Sequence, residues 1–66
     1  MMIYTSQDWN RFAEGAEKAA AFSSETAAEY KAGTEFHQVW ITSAARHTER
    51  ASEYRAIARQ EARRGN

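Results

Sequence analysis

The 66-residue chain contains no cysteine and no proline, and only three glycines. Without thiols there are no disulfides, thiolate metal sites or cysteine nucleophiles, and nothing signals an oxidising compartment. Without proline the strongest helix breaker is missing. No run approaches the ~20 apolar residues that span a bilayer, and the opening Met1-Met2-Ile3-Tyr4-Thr5 lacks the basic region and long apolar stretch of a targeting signal. A cytoplasmic protein with no membrane partner is the expectation. Formal net charge is zero and 42% of residues are apolar, so neither an acidic disordered chain nor a polybasic arm describes the whole.

Chains of this size rarely stabilise one core without disulfides, a metal or oligomerisation. With the first two unsupported, association is the remaining route. Charge is also unevenly spread. Residues 1 to 33 carry three basic and five acidic side chains, a balance of −2, whereas residues 34 to 66 carry six Arg and four Glu, a balance of +2. The two halves therefore attract when folded against each other, and the second offers a face for anions.

What the chain does contain is helix formers, chiefly Ala, Glu, Gln and Arg. Thr5 with Asp8 three residues on has the spacing of a capping box, and Tyr4 and Trp9 stand where a hydrophobic staple packs. Gly33 suits the left-handed position after a helix, and Thr34 can cap the next one. The pattern predicts an all-α fold, one antiparallel hairpin domain over residues 1-66. Helix 1 is expected over about 6-32, a turn at 33-34 and helix 2 over about 35-63. Two alternatives are a single helix running through Gly33-Thr34, at a cost of ~1 kcal/mol for the glycine, and a break at Ser23-Ser24-Glu25 that makes three helices.

Apolar periodicity supplies the packing. On helix 1, Trp9, Phe12, Ala16, Ala19, Ser23, Thr26 and Tyr30 recur at three- and four-residue steps, with Ala13, Ala20 and Ala27 alongside. The matching stripe on helix 2 is Phe36, Trp40, Ser43, His47, Ala51, Tyr54 and Ala58, beside Ile57. Antiparallel folding would bring Tyr30 to Phe36, and Trp9 and Phe12 to Ile57 and Ala58. This seam leaves apolar side chains over. Val39, Trp40 and Ile41 fan over about 200° of helix surface, and Phe22 lies at the seam's edge. Val39, Ile41 and Phe22 are therefore the predicted partner interface. A homodimer forming a four-helix bundle is the simplest closed arrangement, and a docking patch for a foreign protein is its rival.

Catalytic and metal constellations are missing from the sequence. His37 and His47 are ten residues apart, without the i, i+4 spacing of helical zinc ligands, and the glycines are isolated rather than gathered in a phosphate loop. Glu25 and Glu29 stand one turn apart but lack the Glu-x-x-His partner of carboxylate-bridged metal bundles. No enzyme activity, metal or cofactor is expected. The distinctive cluster lies mid-helix 2, where Trp40, His47 and Tyr54 are spaced seven apart and flanked by Arg46 and Arg50 one turn apart. Aromatic rings beside guanidinium groups can stack a base and hold a phosphate. Arg46, Arg50, His47, Trp40 and Tyr54 are the predicted ligand-binding residues. Were two copies of helix 2 to cross antiparallel, His47 and Arg50 would fall near the two-fold axis. Duplex DNA is disfavoured as a partner, because Glu49, Glu53 and Glu61 interrupt the arginine series and the chain is neutral.

In its small size, its alanine content and its preference for Arg, with seven Arg and two Lys, the chain resembles the helical accessory proteins encoded by bacteriophages of GC-rich hosts. The resemblance rests on size and composition. It implies anti-defence action by stoichiometric sequestration, either of a nucleotide-like signal molecule or of a host protein.

Overall fold

The computed structural model describes residues 4-65, and among them it forms an antiparallel hairpin of two helices with no strand. Helix α1 spans Ser6–Ala27 and helix α2 spans Glu35–Arg63, in a rod of 47 × 19 × 12 Å. The start of α1 follows the local code. Thr5 Oγ1 accepts from the Asp8 amide at 3.3 Å, and the Thr5 amide donates to Asp8 Oδ2 at 2.9 Å. Two amide donors that a helix N-terminus leaves over are thereby satisfied. The staple forms as well, with the Tyr4 and Trp9 rings edge-on at 5.6 Å.

The end of α1 corrects the sequence reading. The helix stops at Ala27 instead of reaching residue 32, and residues 28-34 make the connection. The Thr26 hydroxyl donates back to the Phe22 carbonyl at 2.8 Å in the last turn, as Thr48 does to Ala44 within α2. Beyond it, short-range bonds from Glu29 to Thr26 and from Tyr30 to Ala27 tighten the chain. The unwinding lets Tyr30 stack on Phe36 with ring centres 5.7 Å apart. Gly33 consequently does not follow α1 directly. It takes φ +90 within a separate turn that the Thr34 amide closes onto the Lys31 carbonyl at 3.2 Å, a conformation that L side chains resist. Thr34 does cap α2, accepting from the His37 amide at 3.2 Å. Neither the continuous helix nor the break at Ser23-Ser24 occurs.

The core is made of small residues. Ala13, Ala16, Ala27, Ala51, Ala58 and Ser23 are buried, and among the described residues no large side chain is fully enclosed. The seam on α1 thus keeps Ala16 and Ser23 of the predicted stripe and takes Ala13 and Ala27 from beside it, while Phe12 is left exposed. The reason is steric, since small side chains let two helices approach at the short end of the ~8–10 Å range, whereas Phe12 in the seam would wedge them apart. At mid-length the Ser23 and Ser43 hydroxyls meet at 3.1 Å, one donating to the other, which gives the buried Ser23 hydroxyl a partner. Larger rings close the two ends. Tyr4, Trp9, Phe12 and Tyr54 form an aromatic cluster at the open end, edge-to-face except for the tilted Trp9–Tyr54 pair, with centroids 5.1–5.9 Å apart. Phe22 meets Trp40 at 6.0 Å near the connection. Trp9 and Phe12 thus have their aromatic partner in Tyr54, one turn from the expected Ile57 and Ala58.

One flank carries the cross-helix ion pair. Arg55 donates to Glu17 Oε1 at 2.9 Å and to Asn10 Oδ1 at 2.9 Å, so the charge complementarity of the two halves is realised there. The groups are substantially exposed, and a pair of this kind contributes no more than about 1 kcal/mol.

Candidate functional site

Position on α2 decides which arginines are committed and which are free. At 100° per residue, Arg50 lies about 140° around the helix from Arg55, so it faces the flank opposite the Arg55–Glu17 pair. On that flank a groove of about 580 Å³ runs along α2, lined by Val39, Ser43, Arg46, His47 and Arg50 among others. A second trough of about 400 Å³ lies between the helices, with Arg11, Phe12, Gly15 and Ala19 on the α1 side and His47, Arg50 and Tyr54 on the α2 side. His47 and Arg50 line both, so the two hollows adjoin.

Arg46, His47 and Arg50 therefore line one groove together. Tyr54 reaches the trough's far end while its ring packs on Trp9 and Phe12, so it serves the aromatic cluster and the trough wall at once. Trp40 lines neither hollow. It is half-buried with its ring edge-on to Phe22 at 81°, which makes it a packing residue. Arg11 is the member that sequence reasoning missed. Its signal was its place one turn before Gly15, on the stripe of α1 that the antiparallel register sets beside Arg50.

The electrostatics are one-sided. Among the described residues neither Arg11, Arg46 nor Arg50 forms an ion pair, and all three are exposed. Arg46 and Arg50 stand one turn apart, where like charges repel by a few tenths of a kcal/mol. Glu35 closes the far end of the groove about 22 Å along the helix from Arg50, too distant to neutralise it. The hollow thus has a cationic rim over a floor of small and apolar side chains, a surface suited to an anion that also carries a flat apolar part. Among the described residues no group of His, Asp or Glu gathers to hold a metal ion.

The predicted interface residues Val39, Phe22 and Ile41 are all exposed, the first two at 58% and 62%, and Phe36 joins them at 66%. They do not form one surface. Val39 borders the groove and Phe22 lies beyond Trp40, whereas Ile41 is turned about 200° from Val39 onto the Arg55 flank. A single flat partner cannot cover both Val39 and Ile41. No protein-family model, curated protein or solved structure matches the chain.

Proposed function

We propose that the chain is a non-catalytic binding protein that captures a nucleotide-like anion in the groove lined by Arg46, His47 and Arg50, and that it acts by sequestration as a dimeric four-helix bundle. The observation that carries this reading is the set of three arginines, Arg11, Arg46 and Arg50, which among the described residues form no ion pair and line two adjoining hollows. A phosphate bridging guanidinium groups relieves their repulsion through charge-assisted hydrogen bonds. The apolar floor near Phe12, Val39 and Tyr54 gives a base or sugar a surface that inorganic phosphate would not use. We extend the proposal to the setting that the phage resemblance implies, in which capture silences a nucleotide immune signal.

Calorimetric titration and thermal shift with nucleotides and with inorganic phosphate test it. Nucleotide is expected to bind more tightly than phosphate and to raise the melting temperature. Arg50→Ala is expected to weaken nucleotide binding about tenfold or more, since a hydrogen bond to a charged group contributes ~1.5–3 kcal/mol. Nucleotide stabilisation retained in full by Arg50→Ala overturns the reading. A second reading, an inhibitor or adaptor that docks on a foreign protein, draws on the separate exposed flank at Ile41. A heterologous complex lost on Ile41→Glu while self-association persists favours that alternative.

A further inference from the structure

We infer that a second copy of this chain covers the trough face to face, with Phe22 of each protomer seated over Gly15 of the other, so that Arg46, His47 and Arg50 of both chains surround one shared anion site on the two-fold axis. The occupant follows from area. A folded chain of 7.5 kDa exposes about 4,200 Å² by the area–mass scaling of monomeric proteins, and this one exposes 5147 Å². The excess of about 900 Å² matches the ~800 Å² that each partner buries in a standard interface.

Shape and register fix the arrangement. Gly15 has nothing within 4 Å of where a Cβ would stand, and with Ala19 it makes a hollow on the trough side of α1. Phe22 stands one heptad further on in the same column, exposed at 62%. A bump and a hollow separated by one heptad are self-complementary about a two-fold axis midway between them, near Lys18 and Ala19. The hairpin sets Phe12 against Tyr54, Ser23 against Ser43 and Tyr30 against Phe36, and this register puts Ala19 level with His47. The axis that seats Phe22 on Gly15 thus passes beside His47, between Arg46 and Arg50. Of the acidic residues near this level, Glu14 and Glu49 are turned toward the outer faces of their helices by the 100° step, while Glu53 shares the Arg46 column one heptad on, about 10 Å along α2.

The consequence is chemical. Four guanidinium groups meet at the axis beside two imidazoles, and the guanidinium groups repel one another until an anion sits between them. The groove along α2 has a wall from one helix only, so the second copy completes the site. The ligand class narrows to a symmetric dianion such as a dinucleotide with two phosphates, bound at one per two chains. The ligand half of this inference rests on the anion-capture reading, whereas the dimer face stands apart from it.

Sedimentation velocity and native mass spectrometry with cyclic di-AMP and AMP as probes test both halves. Expected are a dimer that cyclic di-AMP strengthens, one cyclic di-AMP per two chains, and weaker binding of AMP. Gly15→Leu is expected to raise the dimer dissociation constant at least tenfold while circular dichroism shows an intact hairpin, because the monomer has room for the side chain and replacing a helical glycine favours the helix. Phe22→Ser is expected to do the same from the other side of the contact. Undiminished dimerisation of both variants overturns the dimer face, and binding of one cyclic di-AMP per chain overturns the shared site. If neither probe binds while both variants are monomeric, the anion reading fails and the dimer face survives.

Discussion

Replacing Ala13 and Ala51 together by leucine is expected to remove about 2–6 kcal/mol of stability, a large share of what a chain of this size has. The expectation follows from the composition of the seam. Ala13 is 0% exposed and Ala51 is 4% exposed, on helices whose approach depends on side chains of one carbon. Each added isobutyl group must push the helices apart or adopt a strained rotamer, at a cost of about 1–3 kcal/mol. A chain of this length has about 3–10 kcal/mol in total. Separation would also break the Ser23–Ser43 hydrogen bond, which is only 3.1 Å long across the same seam. Thermal denaturation followed by circular dichroism checks this. A melting temperature within a few degrees of the wild type would mean that the helices do not depend on close contact there.

The second large effect is expected at the open end. Trp9 touches three other rings, Tyr4, Phe12 and Tyr54, and Tyr54 is the one that brings α2 into the cluster. Trp9→Ala is expected to cost about 2–3 kcal/mol, below the ~3–5 kcal/mol of a fully buried tryptophan because Trp9 is half-exposed. For a domain this small that lowers the melting temperature by about 10–20 °C. Frayed ends of both helices should be visible as faster amide exchange near residues 6 to 12 and beyond residue 54. Exchange unchanged in the far segment of α2 would show that the cluster does not tie the two helices together.

These effects also show which parts of the fold are local in origin. The capping box at Thr5 and Asp8, the Tyr4–Trp9 staple and the Thr34 cap each depend on residues three to five apart, so they are legible in the sequence and occur in the structure. The meeting of Tyr30 with Phe36 was legible for the same reason, being forced by any reversal between them. The end of α1 was not. Nothing between residues 28 and 32 is a poor helix former, and the chain leaves the helix there for contacts made across the hairpin, such as Tyr30 on Phe36. The seam's use of Ala13 and Ala27 in place of Phe12 was hidden likewise. Periodicity alone ranks large apolar residues first, whereas close helix approach selects the smallest ones.

The site was partly legible. Arg46, His47 and Arg50 lie within five residues on one helix, so their grouping is a matter of helical geometry. Arg11 enters from the other helix and needs the register of the hairpin. Trp40 was placed with the ligand because its spacing from His47 is one heptad, yet the same spacing serves the contact with Phe22. Heptad spacing cannot tell the two roles apart, because a seam residue and a groove residue repeat at the same interval.

The central claim is that an all-small core leaves this hairpin dependent on a second copy of itself. Thermal unfolding measured across a hundredfold range of protein concentration, with sedimentation equilibrium at the same concentrations, tests it most directly. The account predicts a mass twice 7.5 kDa and a melting temperature that rises with concentration. A 7.5 kDa species that melts cooperatively at one temperature over the whole range would contradict it.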